Sequence, residues 1–575
     1  MNYKKIYKKI SSHKIILYVS PIVIYLIVAY LLWGPPNFYD IHRLFFTPSG
    51  DPQLFTWSLN WWPFSISHGL NPFIEKFIFY PSGFNLSWAT SIPTLALIMS
   101  PFTYIWGAMT SFNIIALVAL PASALSCYYL IYYICKKYWA SVLCGFIYGF
   151  SSFQLGQLLG HPCFYVAFVA PLVVLVVMLR FNDRLGKIPF ILILGLLLAM
   201  EFGLSSEFFA SMYLFGALTW ICILVLIDKK YRPKVYKITG EIILSGVVTL
   251  VLISPFIYYL LKGYKDVPAV INPAQGYSAD LLNFVIPTKL TLIGGSTFAK
   301  TSTAFTGNTS EQGAYLTIPL LAFMVTFSLY YWQKWYVKVL ALVATVIGIL
   351  SLGPWLQIAG KVKPYMLPEA IFTHLPVVRS MLPVRFSMYM FLVAAIMLGV
   401  WFTDKPKKTK NRKPVLVTLM KYLLVMVILI LLIPNRSDYS WQNPNIPKIF
   451  SPNIVGKYIK PNSNVMFLPF QIGYDPEFWQ VYSKMKFTTS NGYLGFIPPS
   501  ISNYPTASDL YHDAAIPNFQ KNFEVFCKTH KITEILYAYY APVISPIDVH
   551  EVNRLNWPTK TVDGVVIISV PQAYQ

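Results

Sequence analysis

The residue best placed to do chemistry is Asp51, in the segment GDPQLFTWSLNWW that follows the first hydrophobic run. Asp before Pro is typical of a helix start, with Asp as the cap and Pro in the first turn. A carboxylate held at such a position beside a lipid surface could accept a proton from an incoming hydroxyl, or bind a divalent cation. The alternative is that Asp51 only caps the helix.

The helix that begins at Asp51 has a distinctive sequence. We expect it to run to about Trp62, where Pro63 ends it. An interfacial helix places large apolar side chains on one face and lies flat on the membrane. The face expected to do so comprises Leu54, Trp57, Trp61 and Phe64, and Trp57 is also a candidate contact for a substrate.

Further polar residues lie between the hydrophobic runs and could contact a substrate. Asp40 and His42 precede Asp51, and Gln157 and His161 follow a later run. Glu207 lies in the turn EFGLSSE, and acids close to a membrane are candidates for function. Solvated or interfacial roles are the alternatives for each of them.

Three more candidates lie further along the chain. Asp280, in SADLLNF, could cap a short helix or contact substrate. Arg379 and Arg385, in VVRSMLPVRF, could hold a lipid phosphate, because guanidinium groups form forked bonds to phosphate. Snorkelling to lipid headgroups is the alternative for both arginines.

The composition predicts the elements that position these residues. The chain is 56% hydrophobic and only 12% charged, and several apolar runs reach the roughly 20 residues that cross a bilayer. Its net charge of +22 is concentrated in short segments between these runs, as in cytosolic loops of membrane proteins. This pattern argues against nucleic-acid binding. The cysteines have no metal-ligand spacing and predict neither a zinc site nor a disulfide framework.

If the basic segments face the cytosol, about eleven transmembrane helices follow. The N-terminus is then cytosolic, the first helix is an uncleaved span, and the tail lies outside. The predicted spans are 15–33, 112–134, 139–157, 163–180, 188–203, 207–227, 239–262, 313–332, 337–353, 383–403 and 415–434.

The apolar segment 91–107 would break this parity if it crossed the membrane. Pro93 and Pro101 weaken a simple span, so we expect a re-entrant or juxtamembrane helix in the first outer loop. An ordinary span that violates the charge rule is the alternative.

The fold prediction is therefore an all-α polytopic membrane domain over residues 1–434, with a long first outer loop that carries juxtamembrane helices. A small α/β outer domain follows over residues 435–575. Short β-branched or aromatic runs there, at 464–469, 532–537 and 564–570, predict strands, and 518–530 predicts a helix. Gln471, Asp475, Glu477 and Gln480 could contact an acceptor, although a surface turn is expected at Asp475.

Several of these features together resemble the C-type glycosyltransferase superfamily of polytopic membrane enzymes, in its bacterial form. The resemblance rests on a long acidic first outer loop, juxtamembrane helices, a C-terminal outer domain, and the residues of Gly50-Asp51-Pro52, Trp57, Trp61 and Asn71-Pro72-Phe73. The segments Ser278-Ala-Asp-Leu-Leu and Val384-Arg-Phe match more loosely.

The resemblance implies inverting transfer of a sugar from a polyprenyl-phosphate donor to a glycan, lipid or protein acceptor at the outer face. Asp51 would match the catalytic acid of the first loop, as general base or as ligand of a divalent cation. It also implies a bacterial inner membrane with a periplasmic C-terminal domain. The alternatives are a transporter of lipid-linked glycans or envelope lipids, which often shows internal repeats, and a non-catalytic scaffold in envelope assembly.

Overall fold

The computed structural model describes residues 3–47, 51–263, 267, 272–295, 297–375, 378–404, 414–444, 446–470, 476–538 and 546–575. The predictions for Gly50, Gln471 and Asp475 lie outside the described residues. The α-helices are, in chain order, α1 (Tyr3–Trp33), α2 (Asp51–Ser67), α3 (Pro93–Trp106), α4 (Ala108–Cys135), α5 (Tyr138–Gly149), α6 (Ser152–Gln157), α7 (Pro162–Tyr165), α8 (Val169–Phe181), α9 (Lys187–Leu204), α10 (Ser206–Leu226), α11 (Arg232–Lys262), α12 (Ala299–Ser302), α13 (Ile318–Tyr330), α14 (Trp335–Ser351), α15 (Ser387–Thr403), α16 (Pro414–Leu431), α17 (Pro476–Tyr482), α18 (Pro499–Ser502), α19 (Pro505–Tyr511), α20 (Phe519–Thr529) and α21 (Pro546–Arg554).

The strands are short. They are, in chain order, β1 (Phe45–Phe46), β2 (Ile74–Glu75), β3 (Phe84–Asn85), β4 (Trp355–Ile358), β5 (Lys361–Met366), β6 (Trp441–Gln442), β7 (Asn464–Phe467), β8 (Thr488–Thr489), β9 (Glu534–Ala538), β10 (Thr559–Val562) and β11 (Val565–Ser569).

Within the described part of the chain, 6 helical segments are long and apolar enough to cross a membrane. They are Ala108–Cys135, Pro162–Phe181, Lys187–Leu204, Ser206–Leu226, Lys229–Lys262 and Pro383–Thr403. Shorter apolar helices cover Leu17–Trp33, Tyr138–Gly149, Ile318–Tyr330, Trp335–Ser351 and Val415–Leu431. Each predicted span overlaps one of these helices, so the chain is an integral membrane protein. The number of helices that cross, and their orientation, remain predictions.

The predicted span 139–157 is interrupted in the structure. Helix α5 ends at Gly149, and α6 begins afresh at Ser152. The Ser151 side chain caps α6 by accepting a hydrogen bond from the Gln154 backbone N–H at 3.3 Å. A cap of this kind satisfies a backbone donor that has no partner within the helix, which explains why a new helix can start here.

The chain forms two compact units. Unit one comprises Met1–Asp40, Ile114–Ile253 and Val270–Ser440. It is helical: α10 packs on α14, α8 packs on α9, and α5 packs on both α15 and α16. Buried aromatic side chains tie its helices to backbone groups: the Tyr25 hydroxyl donates to the Val142 carbonyl at 2.8 Å, and Trp33 Nε1 to the Ala116 carbonyl at 3.1 Å.

Unit two comprises Ile41–Asn113, Ser254–Ala269 and Trp441–Gln575, and therefore joins the first outer loop to the C-terminal segment. Its five-stranded sheet has the order β10-β11-β9-β7-β8. Strand β7 is parallel to β8 and β9, whereas β11 is antiparallel to β9 and β10. The predicted strands at 464–469, 532–537 and 564–570 coincide with β7, β9 and β11, and the predicted helix coincides with α20. The small sheet-containing part of the fold is thus confirmed.

The first outer loop extends the edge of this sheet. The Thr489 backbone N–H donates to the Phe77 carbonyl at 2.7 Å, and the Tyr80 backbone N–H donates to the Thr489 carbonyl at 2.9 Å. Strand β1 also pairs with β6, placing Phe45 opposite Gln442. The hydrogen bonds with Phe77 and Tyr80 satisfy backbone groups that the edge strand β8 would otherwise leave unpaired.

The helix of the first loop that exposes an apolar face is α3 rather than α2. Helix α3 packs on α2 and exposes Leu97, Ile98 and Ile105. Its 14 residues are too few for the roughly 20 needed to span a bilayer. This length favours the juxtamembrane interpretation of 91–107.

Helix α2 differs from the prediction in two ways. It continues through Pro63 to Ser67, so the prediction that it ends at about Trp62 is wrong. Its apolar face is not free to lie on a membrane, because Leu54, Trp57 and Trp61 are buried within unit two. Protein, not lipid, covers this face.

Candidate functional site

Asp51 is the first residue of α2 and is partly buried in unit two. Helix starts carry a partial positive charge from unpaired N–H groups, which stabilises a carboxylate there. This setting suits either role expected of it, helix start or proton acceptor.

The aromatic residues that follow Asp51 form part of the core. Trp57 is 0% exposed, stacks on Trp61 with ring centroids 5.2 Å apart, and donates from Nε1 to Gln480 Oε1 at 2.7 Å. The expectation that Trp57 contacts substrate is contradicted, because its surface is covered and its only donor is used. These contacts of Trp57 hold α2, the helix that begins at Asp51, in place.

Asp40 and His42 are held by local contacts. Asp40 Oδ2 accepts from the backbone N–H and the side-chain Nδ2 of Asn37, at 3.1 and 3.0 Å. His42 is exposed, and its Nδ1 lies 3.2 Å from Thr110 Oγ1. Asp40 belongs to unit one and His42 to unit two, so each is described within its own unit.

Arg385 is the centre of a buried ionic cluster in unit one. It lies just before α15 and forms a forked contact with Glu311, with Nη2 2.5 Å from Oε1 and Nε 3.2 Å from Oε2. Its Nη1 lies 2.5 Å from Glu207 Oε2, while Glu207 Oε1 accepts from the Leu382 backbone N–H at 2.9 Å. Residues separated widely in sequence therefore meet at one guanidinium.

Gln157 and His161 border the same cluster. Gln157 Nε2 donates to Glu311 Oε2 at 3.1 Å and to the Ser310 carbonyl at 3.0 Å. His161 interacts electrostatically with Glu311, and Arg385 lies over the Phe164 ring at 3.7 Å from its centroid. The structure thus brings Gln157, His161, Glu207 and Arg385 together around Glu311, and their role as substrate contacts stays a prediction.

The electrostatics of the cluster are dominated by ion pairing. Burial alone would raise the pKa of Glu311, but the charge and hydrogen bond of Arg385, together with His161 and Gln157, outweigh burial and lower it. One guanidinium faces two carboxylates, which engage all three of its nitrogens. Arg385 is therefore poorly suited to the phosphate-binding role expected from sequence.

Arg379 differs from Arg385 in its surroundings. It is partly exposed in the short helix Val378–Ser380. Among the described residues, its guanidinium has no hydrogen bond or ion pair, so its donors remain available to an anion. Of the two predicted arginines, Arg379 is the better candidate for binding a phosphate.

Asp280 anchors loops within unit one. Its Oδ1 accepts from the Leu282 backbone N–H at 2.9 Å and from that of Ala359 at 3.1 Å, and its Oδ2 accepts from Gly360 N–H at 2.7 Å. The predicted cap is observed, together with two long-range contacts. With both oxygens engaged and only 2% of the residue exposed, Asp280 has little access to a substrate.

Two acids that the sequence did not single out as a pair lie together in unit two. Glu75 is 0% exposed, and its Oε2 accepts from the backbone N–H groups of Phe77 and Ile78 at 2.7 and 2.8 Å. Burial, reinforced by the neighbouring charge of Glu477, raises the pKa of Glu75 to about 8 despite these hydrogen bonds. Glu477 also accepts a hydrogen bond from the Tyr493 backbone N–H.

Sequence reasoning likewise missed Glu311, the main partner of Arg385. The available signal was an acid in the outer connection between α11 and α13, a region where acids are scarce. No spacing rule connects it to Arg385, because the two residues meet only in the folded chain.

No protein-family model and no curated protein matches the sequence. Solved structures do match. The archaeal oligosaccharyltransferase AglB from Archaeoglobus fulgidus aligns with a TM-score of 0.50 at 13% identity, covering 91% of this chain and 69% of its own. The arabinofuranosyltransferase AftD from Mycobacteria aligns with a TM-score of 0.56 at 12% identity, covering 96% of this chain and 40% of its own.

This chain has the fold of the C-type glycosyltransferases. The resemblance inferred from the first loop is confirmed at the level of fold. Within the C-type glycosyltransferase fold, the first loop that carries Asp51 is built into the sheet-containing unit.

A divalent cation beside Asp51 was one expectation. Among the described residues, no three His, Cys, Asp or Glu side chains gather closely enough to hold a metal ion. The described side chains therefore do not form a complete cation cage, since such ions favour several oxygen ligands.

Proposed function

We propose that this chain is a membrane glycosyltransferase that moves a sugar from a polyprenyl-phosphate donor to a glycan, lipid or protein acceptor at the outer face. The observation that carries the proposal is the shared fold. Of the neighbours, AglB was solved with a dolichol-phosphate and an inhibitory peptide, and AftD is an arabinofuranosyltransferase. The apolar helices give the chain access to a lipid-linked donor.

Asp51 is the proposed general base. Its carboxylate takes the proton of an acceptor hydroxyl while that oxygen forms a bond to the anomeric carbon of the sugar. The bond from this carbon to the phosphate oxygen breaks, and the lipid phosphate leaves with the electron pair. Attack opposite the leaving phosphate inverts the anomeric centre.

Arg379 is the proposed ligand of the donor phosphate. Its partly exposed guanidinium has no competing carboxylate among the described residues, whereas Arg385 faces two. Negative charge grows on the phosphate as the sugar leaves, so a guanidinium there favours the transition state.

The Arg385 cluster is proposed to hold the loops of unit one in a fixed arrangement. Arg385 fastens the segment of Glu311 to the helices that bear Glu207 and Gln157. A buried ion pair with additional hydrogen bonds holds such segments in one arrangement. We therefore assign these residues to positioning the segments that they join. His161 is the member of the cluster proposed to contact substrate.

The charge pattern supports an outer-face reaction in a bacterial inner membrane. With the basic segments in the cytosol, the first outer loop and the C-terminal segment both face the periplasm. Their union in unit two agrees with this topology, because both parts of one compact unit must lie on the same side.

The test uses the full chain in lipid nanodiscs with a panel of labelled polyprenyl-phosphate sugars and membrane glycan acceptors. Asp51→Asn should abolish transfer without changing the unfolding temperature. Asp509→Asn, in the C-terminal part of the same unit, is the matched control and should remain active. Full activity of the Asp51 variant would overturn its role.

The same assay separates the rival functions. Movement of the labelled lipid across the membrane without sugar transfer would support a transporter. Neither transfer nor movement with any donor of the panel would support a scaffold. Both results would count against a glycosyltransferase.

A further inference from the structure

A two-stranded hairpin in unit one exposes an unusual amount of apolar surface. Strands β4 and β5 pair antiparallel, with Trp355 opposite Met366, so that these side chains are neighbours. Trp355 is 41% exposed, Val362 54%, Tyr365 63% and Met366 69%. Exposed apolar surface of this kind marks a contact with a partner or a membrane.

The hairpin is held firmly at its base. Gln357, which is 0% exposed, donates from Nε2 to the Gln275 carbonyl at 2.6 Å and accepts from Thr306 Oγ1 at 2.6 Å. Asp280 accepts the backbone N–H groups of its turn, as described above. The apolar side chains are therefore presented by a fixed element that the fold has built.

The position of Gly360 in the turn of the hairpin allows no larger residue. Gly360 has a φ of +74°, and a Cβ there would lie 1.9 Å from the Ala304 carbonyl oxygen. Glycine is required both by the left-handed backbone and by the close approach. The hairpin thus depends on a specific turn residue and not on general flexibility.

Its position and charge indicate what covers it. Helix α14, one of the apolar helices, ends at Ser351, only four residues before Trp355. Four extended residues reach at most about 14 Å, which is within the headgroup layer and its immediate surroundings. The hairpin also carries Lys361 and Lys363, and its strands contain no acid.

We propose that this hairpin docks onto the anionic phospholipid headgroups of the membrane in which the chain resides. Trp355, Tyr365 and Met366 enter the interfacial layer, where aromatic side chains are favoured. Lys361 and Lys363 bind the negatively charged headgroups. Val362 and Met366, by contrast, offer no hydrogen bond to a glycan.

The experiment places an environment-sensitive fluorophore on the full chain in nanodiscs. It is attached at Val362→Cys, with Thr303→Cys in the same unit as an exposed control and Cys222→Ser as background, since the other described cysteines are buried. With phosphatidylglycerol present, emission at position 362 should shift to the blue and be quenched by lipid-borne nitroxide. The control should be quenched by aqueous iodide.

The cationic part is tested by charge removal. Lys361→Gln with Lys363→Gln should abolish the difference between phosphatidylglycerol and pure phosphatidylcholine discs, whereas Lys300→Gln should not. Quenching of position 362 by iodide would overturn the proposal. So would shielding from both quenchers, which would mean that protein, such as a second copy of the chain, covers the hairpin.

Discussion

Trp57 donates its indole N–H to Gln480 Oε1 at 2.7 Å across 423 residues of sequence. Gln480 in turn donates from Nε2 to the carbonyls of Phe77 and Phe487, at 3.0 and 2.9 Å. Both Trp57 and Gln480 are 0% exposed. The helix that carries Asp51 is therefore positioned by the C-terminal segment of the chain, within unit two.

Removing this hydrogen bond should destabilise the protein. Trp57→Phe leaves the buried Gln480 Oε1 without a donor, and an unsatisfied buried group costs about 1–3 kcal/mol. We expect a lower unfolding temperature in detergent, measured by scanning fluorimetry. Trp106→Phe is the control, because Trp106 is 49% exposed. Equal shifts in both variants would contradict the importance of the Trp57–Gln480 contact.

The stability of the protein should depend on the protonation of Glu75. Burial and, to a smaller extent, the charge of Glu477 raise its pKa from 4.5 to about 8 against two opposing backbone hydrogen bonds. Between these values the folded state keeps a proton that the unfolded state has lost, so stability falls as pH rises, by up to about 1.4 kcal/mol per pH unit. Below the unfolded pKa the stabilisation is fully present.

Glu75→Gln should remove this pH dependence, because an amide has no charge to bury. The stability of the variant relative to the parent should be greater at a pH of about 8 than at a pH of about 5. Unfolding temperatures measured across that range report this difference. Glu524→Gln, a partly exposed acid of α20, should retain the parent's slope. An unchanged slope in the Glu75 variant would assign the pH dependence elsewhere.

Substitution of Arg385 should lower the stability of the protein, whereas substitution of Arg379 should weaken the binding of the donor. Arg385→Met leaves Glu207 and Glu311 buried without their cation, and breaking a buried ion pair costs about 3–5 kcal/mol. Arg379→Met should change stability by less than about 0.5 kcal/mol, as is usual for surface sites, but raise the KM for the lipid-phosphate sugar. Unfolding midpoints and donor titrations measure the two effects. A stable Arg385 variant with weak donor binding would reverse the assignments.

Asp280 should control the opening of the β4–β5 hairpin. Asp280→Ala removes the acceptor for the backbone N–H groups of Leu282, Ala359 and Gly360. Hydrogen exchange at Ala359 and Gly360 should become faster, because exchange reports local opening. Asp40→Ala, which loses contacts only to Asn37, should leave exchange in the hairpin unchanged.

Patterns within short windows of the sequence predicted the positions of helices and strands well. Apolar runs located the membrane helices, and β-branched runs located β7, β9 and β11, because burial in lipid or in a sheet is visible in consecutive residues. The first span after Lys137 was predicted too long, since the cap at Ser151 interrupts it. Helix α2 was predicted too short, because packing in unit two carries it through Pro63.

Roles that depend on partners were harder to predict. Sequence reasoning placed Gln157, His161, Glu207 and Arg385 among the candidates, and the structure brings them together in unit one. It missed Glu311 because no local pattern joins that residue to Arg385. A tryptophan such as Trp57 suits either a membrane interface or a protein core. Only its burial against protein in the folded chain distinguishes these two environments.

The sequence by itself determined the class of the protein, the positions of its apolar helices, the helix start at Asp51 and the charge pattern that orients the loops. These follow from local composition and spacing. Only the tertiary structure decided that the first loop and the C-terminal segment form one unit, and that Arg385 is neutralised while Arg379 remains available. The physical reason is that hydrogen bonds and ion pairs between distant residues depend on the folded path of the chain, which no short window of sequence contains.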